Sequence, residues 1–309
     1  MNPRLTIIGS ANYDLVVKAE RIPTPGETII GGKFLTSPGG KGANQAVAAA
    51  RLGADVWFVG RVGTDSFGES LSTALAGAGV RLDYLIEDAV EPTGVALIGV
   101  DARGENAITV APGANGNTSA DDVESARPAI TSAFAVLLQL EIPMAAVRAA
   151  IRIAKESGAH VILNPAPVSR DAILSADILT QVDVLTPNEH EAAIILGLPS
   201  TENVDWNTAA LRLLEAGVGT VVITLGVHGS IVADSSGVRA LPAYPVDAVD
   251  TTAAGDCFSG ALAVALAEGR SIDDAVRFAS GAAAISVTRM GAQPSLPTRA
   301  EVDELICGK

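Results

Sequence analysis

The chain has 309 residues, which is enough for one large α/β domain or for two ordinary ones. Hydrophobic residues make up 48% of it and aromatic residues only 4%, so Ala, Val, Leu and Ile must fill the core. The net charge of −14 argues against a surface for nucleic acids or anionic membranes, because such surfaces need clusters of Lys and Arg.

The cysteine and apolar content of the chain bears on its compartment. Cys257 and Cys307 are the only cysteines and they form no CxxC motif, so we expect no disulfide framework. The first apolar run is too short for a signal peptide, and no run approaches the roughly 18 to 20 apolar residues of a membrane span. A reducing cytoplasm is therefore the predicted location. Three scattered histidines disfavour a histidine-rich metal site, and no G-x-S-x-G motif of a hydrolase occurs.

Short apolar runs alternate with alanine-rich periodic segments along most of the chain. The predicted strands lie at 4–10, 55–63, 133–140, 160–167, 182–188 and 220–226. The predicted helices lie at 44–52, 68–78, 145–157 and 189–196. This alternation predicts a mostly parallel central sheet with helices on both faces.

Two segments depart from the alternation. Residues 14–34 are rich in Pro, Gly and short β-prone pieces, which indicates an excursion of small strands. Residues 93–113 contain a DARGEN turn between two β-prone runs, which predicts a hairpin. Because we find no Gly/Ser linker, charge block or repeat, we expect a single domain over 1–309.

The segment DTTAAGDCFSG, at 250–260, is the most informative part of the sequence. It follows an extended, turn-prone stretch and runs directly into an alanine-rich helix. The first turn of a helix offers free N–H groups and a partial positive charge, so it can bind an anion. Asp256 adds a carboxylate beside that anion site. It either caps the helix or takes a proton from a hydroxyl that attacks phosphorus, and the spacing alone does not decide between the two.

Several further motifs accompany this segment. They are GSANYD (9–14), GGKGANQAVAAARLGA (39–54), TGVALI (93–98), LLQLE (137–141), LNPAP (163–167), TPNEHE (186–191), ITLG (223–226) and VTRMGAQPS (287–295). Together they resemble the ribokinase-like (PfkB) family of carbohydrate kinases over nearly the whole chain. The resemblance implies a three-layer α/β/α fold with a small β-sheet lid, formed by about 13–36 and 92–112. It also implies ATP-dependent phosphorylation of D-ribose at its primary hydroxyl, giving ribose 5-phosphate and ADP.

The resemblance implies a catalytic base and a sugar site. Asp256 would be the base, and the anion hole would consist of Ala253, Ala254 and Gly255. The sugar ligands would be Asn12, Asp14, Gly40, Lys41, Gly42, Asn44 and Glu141. The residues themselves leave plainer alternatives open: an Asx turn at 12–14, a flexible Gly-Gly-x-Gly turn that fails the Walker pattern, and a strand exit at Glu141.

The resemblance also implies a nucleotide site. Its residues would be Asn188, Thr224, Leu225, Gly226, Val227, His228, Gly229, Gly255 and Ser280. Glu191 would hold Mg²⁺ through water, although Asn188 as a helix cap and Glu191 as a solvated residue are the alternatives. His228 would lie near the ribose or adenine of ATP, and Ser280 departs from the Asn or His that relatives often have.

A monovalent cation and a partner chain complete the implied site. The K⁺ positions would be Asp250, Thr252, Ser286, Arg289, Gly291 and Ser295, most of them acting through backbone carbonyls. Cys257 is either a reactive thiol at a helix N-terminus or, as favoured, a small buried residue. A homodimer formed through the lid sheet is expected, with no nucleic-acid or membrane partner.

Two alternative functions remain open. Another sugar or nucleoside kinase of the same fold is one, although the polar residues Asn12, Asp14 and Glu141 favour a small polyol over a nucleoside. A sugar-binding regulator without catalysis is the other, and an intact Asp256 argues against it. A dinucleotide dehydrogenase is disfavoured because no G-x-G-x-x-G motif occurs.

Overall fold

The computed structural model describes residues 2–103, 106–168 and 174–308. Its strands are β1 (Arg4–Ile8), β2 (Asn12–Lys18), β3 (Lys33–Gly39), β4 (Asp55–Gly63), β5 (Arg81–Asp88), β6 (Gly94–Val100), β7 (Asn106–Ala111), β8 (Ala135–Leu138), β9 (His160–Leu163), β10 (Val184–Leu185), β11 (Thr220–Thr224), β12 (Ser230–Asp234) and β13 (Gly237–Leu241). Its α-helices are α1 (Lys41–Arg51), α2 (Ser66–Gly77), α3 (Ala120–Ser125), α4 (Arg127–Ser132), α5 (Met144–Ser157), α6 (Ala176–Leu179), α7 (Glu189–Ile195), α8 (Trp206–Glu215), α9 (Ala254–Ala267), α10 (Ile272–Ser286) and α11 (Arg299–Cys307). Within these ranges, no helix is long and apolar enough to cross a membrane.

The central sheet has nine strands among the described residues, in the order β13-β12-β11-β10-β9-β8-β1-β4-β5. All neighbours from β11 to β5 pair in parallel. Strands β12 and β13 form an antiparallel edge. The mostly parallel sheet predicted from the alternating pattern is therefore confirmed.

Two hydrophobic cores lie on opposite faces of this sheet, because successive side chains of a strand point to opposite sides. In β8, Leu137 belongs to one core while its neighbours Val136 and Leu138 belong to the other. Helices α1, α2, α9 and α10 contribute to the first core, and α3, α4, α5 and α8 to the second. The structure is thus the three-layer α/β/α arrangement that the resemblance implied.

A second, four-stranded sheet lies outside these layers, in the order β3-β2-β6-β7 within the described part of the chain. We call it the lid sheet. Its strands come from the two segments that departed from the alternating pattern. Residues 104 and 105 of the DARGEN turn lie outside the described residues, but the hairpin pairing of β6 with β7 is present on either side of them.

Helix α1 begins at Lys41, three residues earlier than the sequence predicted. Gly40 precedes it with a φ of 88°, a left-handed conformation that favours glycine. The Gly-Gly-x-Gly motif is therefore not a free loop, since its last two residues form the first turn of the helix. A Cβ on Gly42 would lie 2.7 Å from the carbonyl carbon of Gly9, so this glycine lets α1 approach the end of β1.

We predict that Gly42→Ala destabilises the fold by about 1 to 3 kcal/mol, because the added methyl group must displace the backbone of Gly9 and Ser10. Thermal unfolding of the ligand-free protein measures this. Gly77→Ala is the matched control, since a Cβ on this helical glycine of α2 meets nothing within 4 Å. We expect the control to be neutral or slightly stabilising. Equal melting temperatures for the two variants would contradict the packing role of Gly42.

Candidate active site

The proposed catalytic carboxylate lies in the first turn of α9. Asp256 is 6% exposed. Its Oδ2 accepts a hydrogen bond from Asn44 Nδ2 at 2.9 Å, and its Oδ1 accepts one from Gln45 Nε2 at 3.0 Å. Burial raises the pKa of Asp256, although Lys41 and the two amides act in the opposite direction. The group is thus a buried carboxylate whose ionised form is stabilised by fixed donors.

The turn that leads into α9 leaves backbone donors free beside this carboxylate. Ala253, the N-cap, has a φ of 59°, and no side chain caps the helix. Within the described residues, no protein acceptor takes the N–H groups of Ala253, Gly255 or Asp256. The N–H of Ala254 differs from the expectation, because it donates to the Thr251 carbonyl at 3.2 Å. Three unpaired donors at the positive end of a 14-residue helix can bind an anion.

The expected sugar ligands Asn12, Asp14 and Glu141 lie together where β1 passes into β2. Glu141 Oε2 accepts hydrogen bonds from Ser10 Oγ at 2.5 Å and from Asn12 Nδ2 at 3.4 Å. Asn12 Oδ1 accepts from Asn115 Nδ2 at 2.8 Å, which fixes the orientation of the Asn12 amide. Asn12 and Asp14 are 3% and 7% exposed, and both lie on one face of β2.

Asn44 does not lie free in a sugar pocket, because its Nδ2 is bonded to Asp256. Its Oδ1, in contrast, is buried and has no hydrogen-bond partner. A buried carbonyl oxygen without a partner costs free energy, so a hydroxyl donor is expected there in the functional state. Asn44 can therefore orient the carboxylate and accept a ligand hydroxyl at the same time.

Lys41 is surrounded by carboxylates. Burial lowers its pKa, but four nearby acidic groups more than offset this effect, so the pKa is raised and the lysine stays charged. These groups are Asp256, Glu141, Glu191 and Asp14. The surplus of negative charge makes the site suited to a cation or to a cation-bound anion.

The surplus of negative charge acts on the pKa of Asp14. Burial, together with the charges of Glu141 and Asp256, raises its pKa to about 7, despite the opposing charge of Lys41. The carboxylate would ionise readily only when a ligand or cation compensates the neighbouring charges. Its titration is therefore coupled to the occupancy of the site.

Two adjoining cavities meet at the start of α9. The smaller, of about 210 Å³, is lined by Lys41, Asn188, Glu191, Gly255 and Asp256, among others. The larger, of about 680 Å³, is lined by Gly226, Val227, Tyr244, Val246 and Ser280, among others. Thr224, Ala254, Gly255 and Phe258 border both. A ligand with a phosphate chain and an apolar base can therefore extend from the N-terminus of α9 into the larger cavity.

The turn after β11 meets the expectation only in part. Thr224, Gly226, Val227 and Gly229 line the larger cavity. Leu225 and His228 do not line it in the described structure, and His228 is exposed to solvent. Leu225 and His228 are three residues apart, which is one turn of a 3-10 helix, so they lie on the same side of the turn Gly226–His228. Ser280 lines the larger cavity from α10.

Asn188 and Glu191 form a capping box at the start of α7. Asn188 Oδ1 accepts from the Glu191 N–H at 2.8 Å, and Glu191 Oε2 accepts from the Asn188 N–H at 2.9 Å. Both residues nevertheless line the smaller cavity. Burial raises the pKa of Glu191 to about 6. The helix cap and the cavity wall are thus the same residues, and the two alternatives from the sequence do not exclude each other.

The expected K⁺ positions fall on two segments that Asp250 ties together. Asp250 Oδ1 accepts from the Thr252 N–H at 2.9 Å, and Oδ2 accepts from the Gly291 N–H at 2.8 Å. The backbones also meet, since the Asp250 N–H donates to Val287 O. Ser286 and Ser295 each bond with Oγ to a carbonyl three residues earlier, and Arg289 bonds to Glu301. In the described residues, no group of three or more His, Cys, Asp or Glu is placed to hold a metal ion.

Several residues of the site were missed by the sequence analysis. Gln45 contacts Asp256, and Asn164 and Thr186 line the smaller cavity. Tyr244 and Val246 belong to the extended stretch before 250, which the sequence marked only as turn-prone. The amide of Gln45, beside Asn44 in the same motif, was the available signal.

Cys257 follows Asp256 directly, but its thiol faces the core. Its side chain is fully buried, and burial raises its pKa to about 12. The favoured alternative, a small buried residue, is therefore confirmed.

Comparisons with known proteins identify the class of enzyme. A model described as the pfkB family carbohydrate kinase matches residues 2–299. The chain belongs to this family of carbohydrate kinases, which uses ATP as phosphoryl donor and so needs a divalent metal ion with it. The family predicted from the motifs is confirmed.

The chain is similar to ribokinases over nearly its whole length. It is 43% identical over 306 residues to a ribokinase of Haemophilus influenzae, with 99% of each chain covered. It is 42% identical over 302 residues to a ribokinase of Bacillus subtilis, covering 98% of this chain and 99% of that one. The solved structure of an Arabidopsis thaliana ribokinase complexed with ribose and ATP has a TM-score of 0.89 and 38% identity, with 99% of both chains covered.

We predict that Asp14→Asn stabilises the ligand-free protein at neutral pH but not in acid. A carboxylate whose folded pKa is raised contributes stability below its unfolded pKa, and this contribution is lost as the pH rises through about 7. The increase in the free energy of unfolding caused by Asp14→Asn should grow between pH 4 and 7, to about 2 to 4 kcal/mol at most. Melting temperatures at pH 4.5 and 8 measure it.

The control for this experiment is Asp122→Asn, which should behave in the opposite way. Burial raises the pKa of Asp122, but the hydrogen bonds from Arg61 and Ser119 lower it by more. The net shift of its pKa is therefore downward. Removing that carboxylate should therefore cost stability at neutral pH. A pH-independent effect of Asp14→Asn would contradict the assignment.

Proposed function

We propose that this carbohydrate kinase transfers the γ-phosphoryl group of ATP to the 5-hydroxyl of D-ribose, giving ribose 5-phosphate and ADP. The observation that carries the proposal is Asp256, a buried carboxylate beside the unpaired N–H groups that begin α9. Glu141 and Asp14 lie close enough to Asp256 to influence its charge. The cavity that Asp256 lines adjoins the larger cavity, which would take the nucleotide. The similarity to ribokinases supports the choice of sugar.

In this proposal, Asp256 accepts the proton of the sugar hydroxyl as its oxygen attacks the γ-phosphorus, and the bond to the ADP oxygen breaks. The N–H groups of Gly255 and Asp256 stabilise the charge on the transferring group, since they are free and fixed in direction. Lys41 adds a positive charge on the same cavity. Each of these groups is held before the substrate arrives, so little reorganisation accompanies the transfer.

The sugar would be recognised by side chains that form hydrogen bonds with its hydroxyl groups. Asp14 and Glu141 can each accept from neighbouring hydroxyls, and Asn44 Oδ1 offers an acceptor that lacks a partner. The amide of Asn12, oriented by Asn115, presents its N–H side toward Glu141 and the ligand. A site of this kind leaves buried polar groups unpaired when a substrate hydroxyl is missing, which favours ribose over 2-deoxyribose.

The divalent ion that accompanies ATP would be Mg²⁺. The acidic surroundings of Lys41 fit this ion, because carboxylate oxygens and waters are its preferred ligands. Glu191 would hold it through water from the wall of the smaller cavity. When bound, the ion neutralises phosphate charge.

We predict that Asp256→Asn lowers kcat by roughly 10²- to 10⁴-fold with little change in ribose affinity, because the shape is kept and the proton acceptor is lost. The assay is release of ADP with ribose, 2-deoxyribose, a hexose and a nucleoside as acceptors. We expect ribose to give the highest kcat/KM. A variant that keeps more than about half of the activity would remove Asp256 as base, and an enzyme that prefers the nucleoside would refute the substrate.

We also propose that K⁺ binds between the segments joined by Asp250. Asp250 accepts from the Thr252 N–H of its own segment and from the Gly291 N–H of the other segment. The backbones also meet where the Asp250 N–H donates to Val287 O. Backbone carbonyls of both segments would be the ligands of the ion. An ion there would order the turn without touching the substrates. Its effect would therefore reach catalysis through the geometry of the free N–H groups.

We predict that K⁺ activates the enzyme and that the smaller Na⁺ replaces it poorly, because a carbonyl cage suits one ionic size. Asp250→Ala should abolish this activation and leave a low basal rate. Initial rates in a buffer of a large organic cation, with and without K⁺, measure the effect. Thr288→Ala is the control, since the bond that its hydroxyl makes in the described part of the chain goes to Ile285 O, outside the turn. Identical rates with and without K⁺ in the unaltered enzyme would refute the site.

We further propose that two copies of the chain pair through the lid sheet. The register places Leu35 opposite Val16 and Ile108 opposite Ile98, on the same face as Asn12 and Asp14. Leu35 and Ile108 are 47% and 54% exposed. A second lid sheet would cover this apolar face and extend the enclosure of the sugar site.

We predict that the protein has about twice the chain mass of 31.3 kDa in solution. The paired substitutions Leu35→Lys and Ile108→Lys should give a monomer, because charge on the apolar face opposes its burial. Sedimentation velocity measures the mass. Val90→Lys, at a residue 85% exposed outside the lid sheet, is the control and should leave the mass unchanged. A monomeric unaltered protein would refute the pairing.

We also propose a cytoplasmic location. Both Cys257 and Cys307 are unpaired thiols, which supports a reducing compartment.

A further inference from the structure

A chain of buried amides ends on the proposed catalytic carboxylate. Gln45 is fully buried, and its Nε2 donates to Asp256 Oδ1 at 3.0 Å and to Asn164 Oδ1 at 3.1 Å. Its Oε1 accepts from Gln139 Nε2 at 2.5 Å. Asn164 in turn donates from Nδ2 to the Thr186 carbonyl at 2.9 Å. Both hydrogens of the Gln45 amide nitrogen and its oxygen are therefore engaged.

The direction of these bonds is fixed by groups that can only accept. The Thr186 carbonyl takes the Asn164 amide nitrogen, so the Asn164 oxygen must face Gln45. A carboxylate at Asp256 likewise demands a donor. Rotating the Gln45 amide by half a turn would place its oxygen against two other oxygens, which is repulsive. Gln45 is thus held in one orientation, with its N–H toward the base.

Gln45 has no free polar group to offer a substrate. Its side chain is fully buried, and protein partners engage both its amide nitrogen and its amide oxygen. Asn44, the other donor to Asp256, has a free oxygen that the proposed sugar site uses, so a change there would disturb binding as well. Gln45 is therefore the place where orientation of the base can be separated from recognition of the sugar.

We propose that Gln45 is a positioning residue that holds the Asp256 carboxylate ionised and aimed at the substrate hydroxyl, with Gln139 and Asn164 fixing the Gln45 amide. This inference rests on the proposed function, in which Asp256 is the base. The donated hydrogen bond favours the charged form against burial, and it fixes which oxygen remains available to accept a proton.

Other charged groups face Asp256 and contribute to any pH dependence. They are Lys41 at the start of α1, Glu141 after β8, Asp14 on β2 and Glu191 on α7. Because Asp14 and Glu191 also have raised pKa values, the acidic limb of the pH–rate profile reflects the titration of several groups. The test therefore compares variants with the unaltered enzyme and does not assign the limb of one enzyme to one group.

The decisive variant is Gln45→Met, which keeps the length of the side chain and removes the donor. We expect kcat to fall about 10- to 100-fold, while KM for ribose and for ATP changes less than about twofold. We expect the acidic limb of kcat/KM to move up by about one pH unit, because the ionised base has lost a donor. Steady-state release of ADP between pH 5 and 9 measures all three quantities.

Two further variants make the result decisive. Val47→Ala, at a buried position on the same helix, should lower the melting temperature and leave the acidic limb in place. Gln139→Met removes the support of the Gln45 oxygen, and should move the limb in the same direction by less. It also provides the test if Gln45→Met does not fold.

The outcomes separate this inference from the function on which it rests. An upward shift in the Gln45 or Gln139 variant, absent from Val47→Ala, supports the positioning role. An active enzyme in which neither glutamine variant moves the limb overturns that role and leaves the proposed function standing. An unaltered enzyme without ribose-dependent ADP release, or with full activity in Asp256→Asn, overturns both.

Discussion

The burial of the Asp256 carboxylate is the constraint on which the rest of the site depends. Removing a charge from water is costly, so the fold must supply donors for both oxygens. Asn44 and Gln45 supply them from α1. This requires α1 and α9 to approach closely, and small residues permit it: a Cβ on Gly260 would lie 2.8 Å from the Gln45 carbonyl oxygen. The packing of two helices thus determines the ionisation and direction of one side chain.

The negative charge around Lys41 lowers the stability of the ligand-free protein. Asp14 and Glu191 have raised pKa values because burial and neighbouring carboxylates oppose their ionisation. The same charges suit a nucleotide that arrives with a cation. The site therefore sacrifices stability in the free protein for electrostatic complementarity in the complex, a trade-off common to binding sites. The unpaired N–H groups of α9 balance that acidity with positive potential at the point where phosphate charge is expected.

The two sheets are coupled at the site through a short connection. Three residues separate β1 of the central sheet from β2 of the lid sheet, so the proposed sugar ligands Asn12 and Asp14 stand where the sheets meet. Asn115 ties this junction together through bonds to the Ala11 backbone and to Asn12. Tyr13 of β2 also stacks on Phe67 of α2, with ring centroids 4.5 Å apart. Movement of the lid sheet would therefore be felt directly by Asn12 and Asp14.

The sequence by itself determined the class of fold, six of the nine strands described in the central sheet, the two segments that form the lid sheet, and the helix N-terminus that holds Asp256. These features follow from local patterns: apolar runs of strand length, helical periodicity, and a small-residue turn before a helix. Only the tertiary structure decided that Gln45 contacts Asp256, that the Ala254 N–H donates to the Thr251 carbonyl, and that His228 faces solvent. It also decided that Gly42 serves the packing of α1 against Gly9. Each of these depends on which residues distant in sequence are brought within a few ångströms, and side-chain pattern along one segment carries no information on that distance.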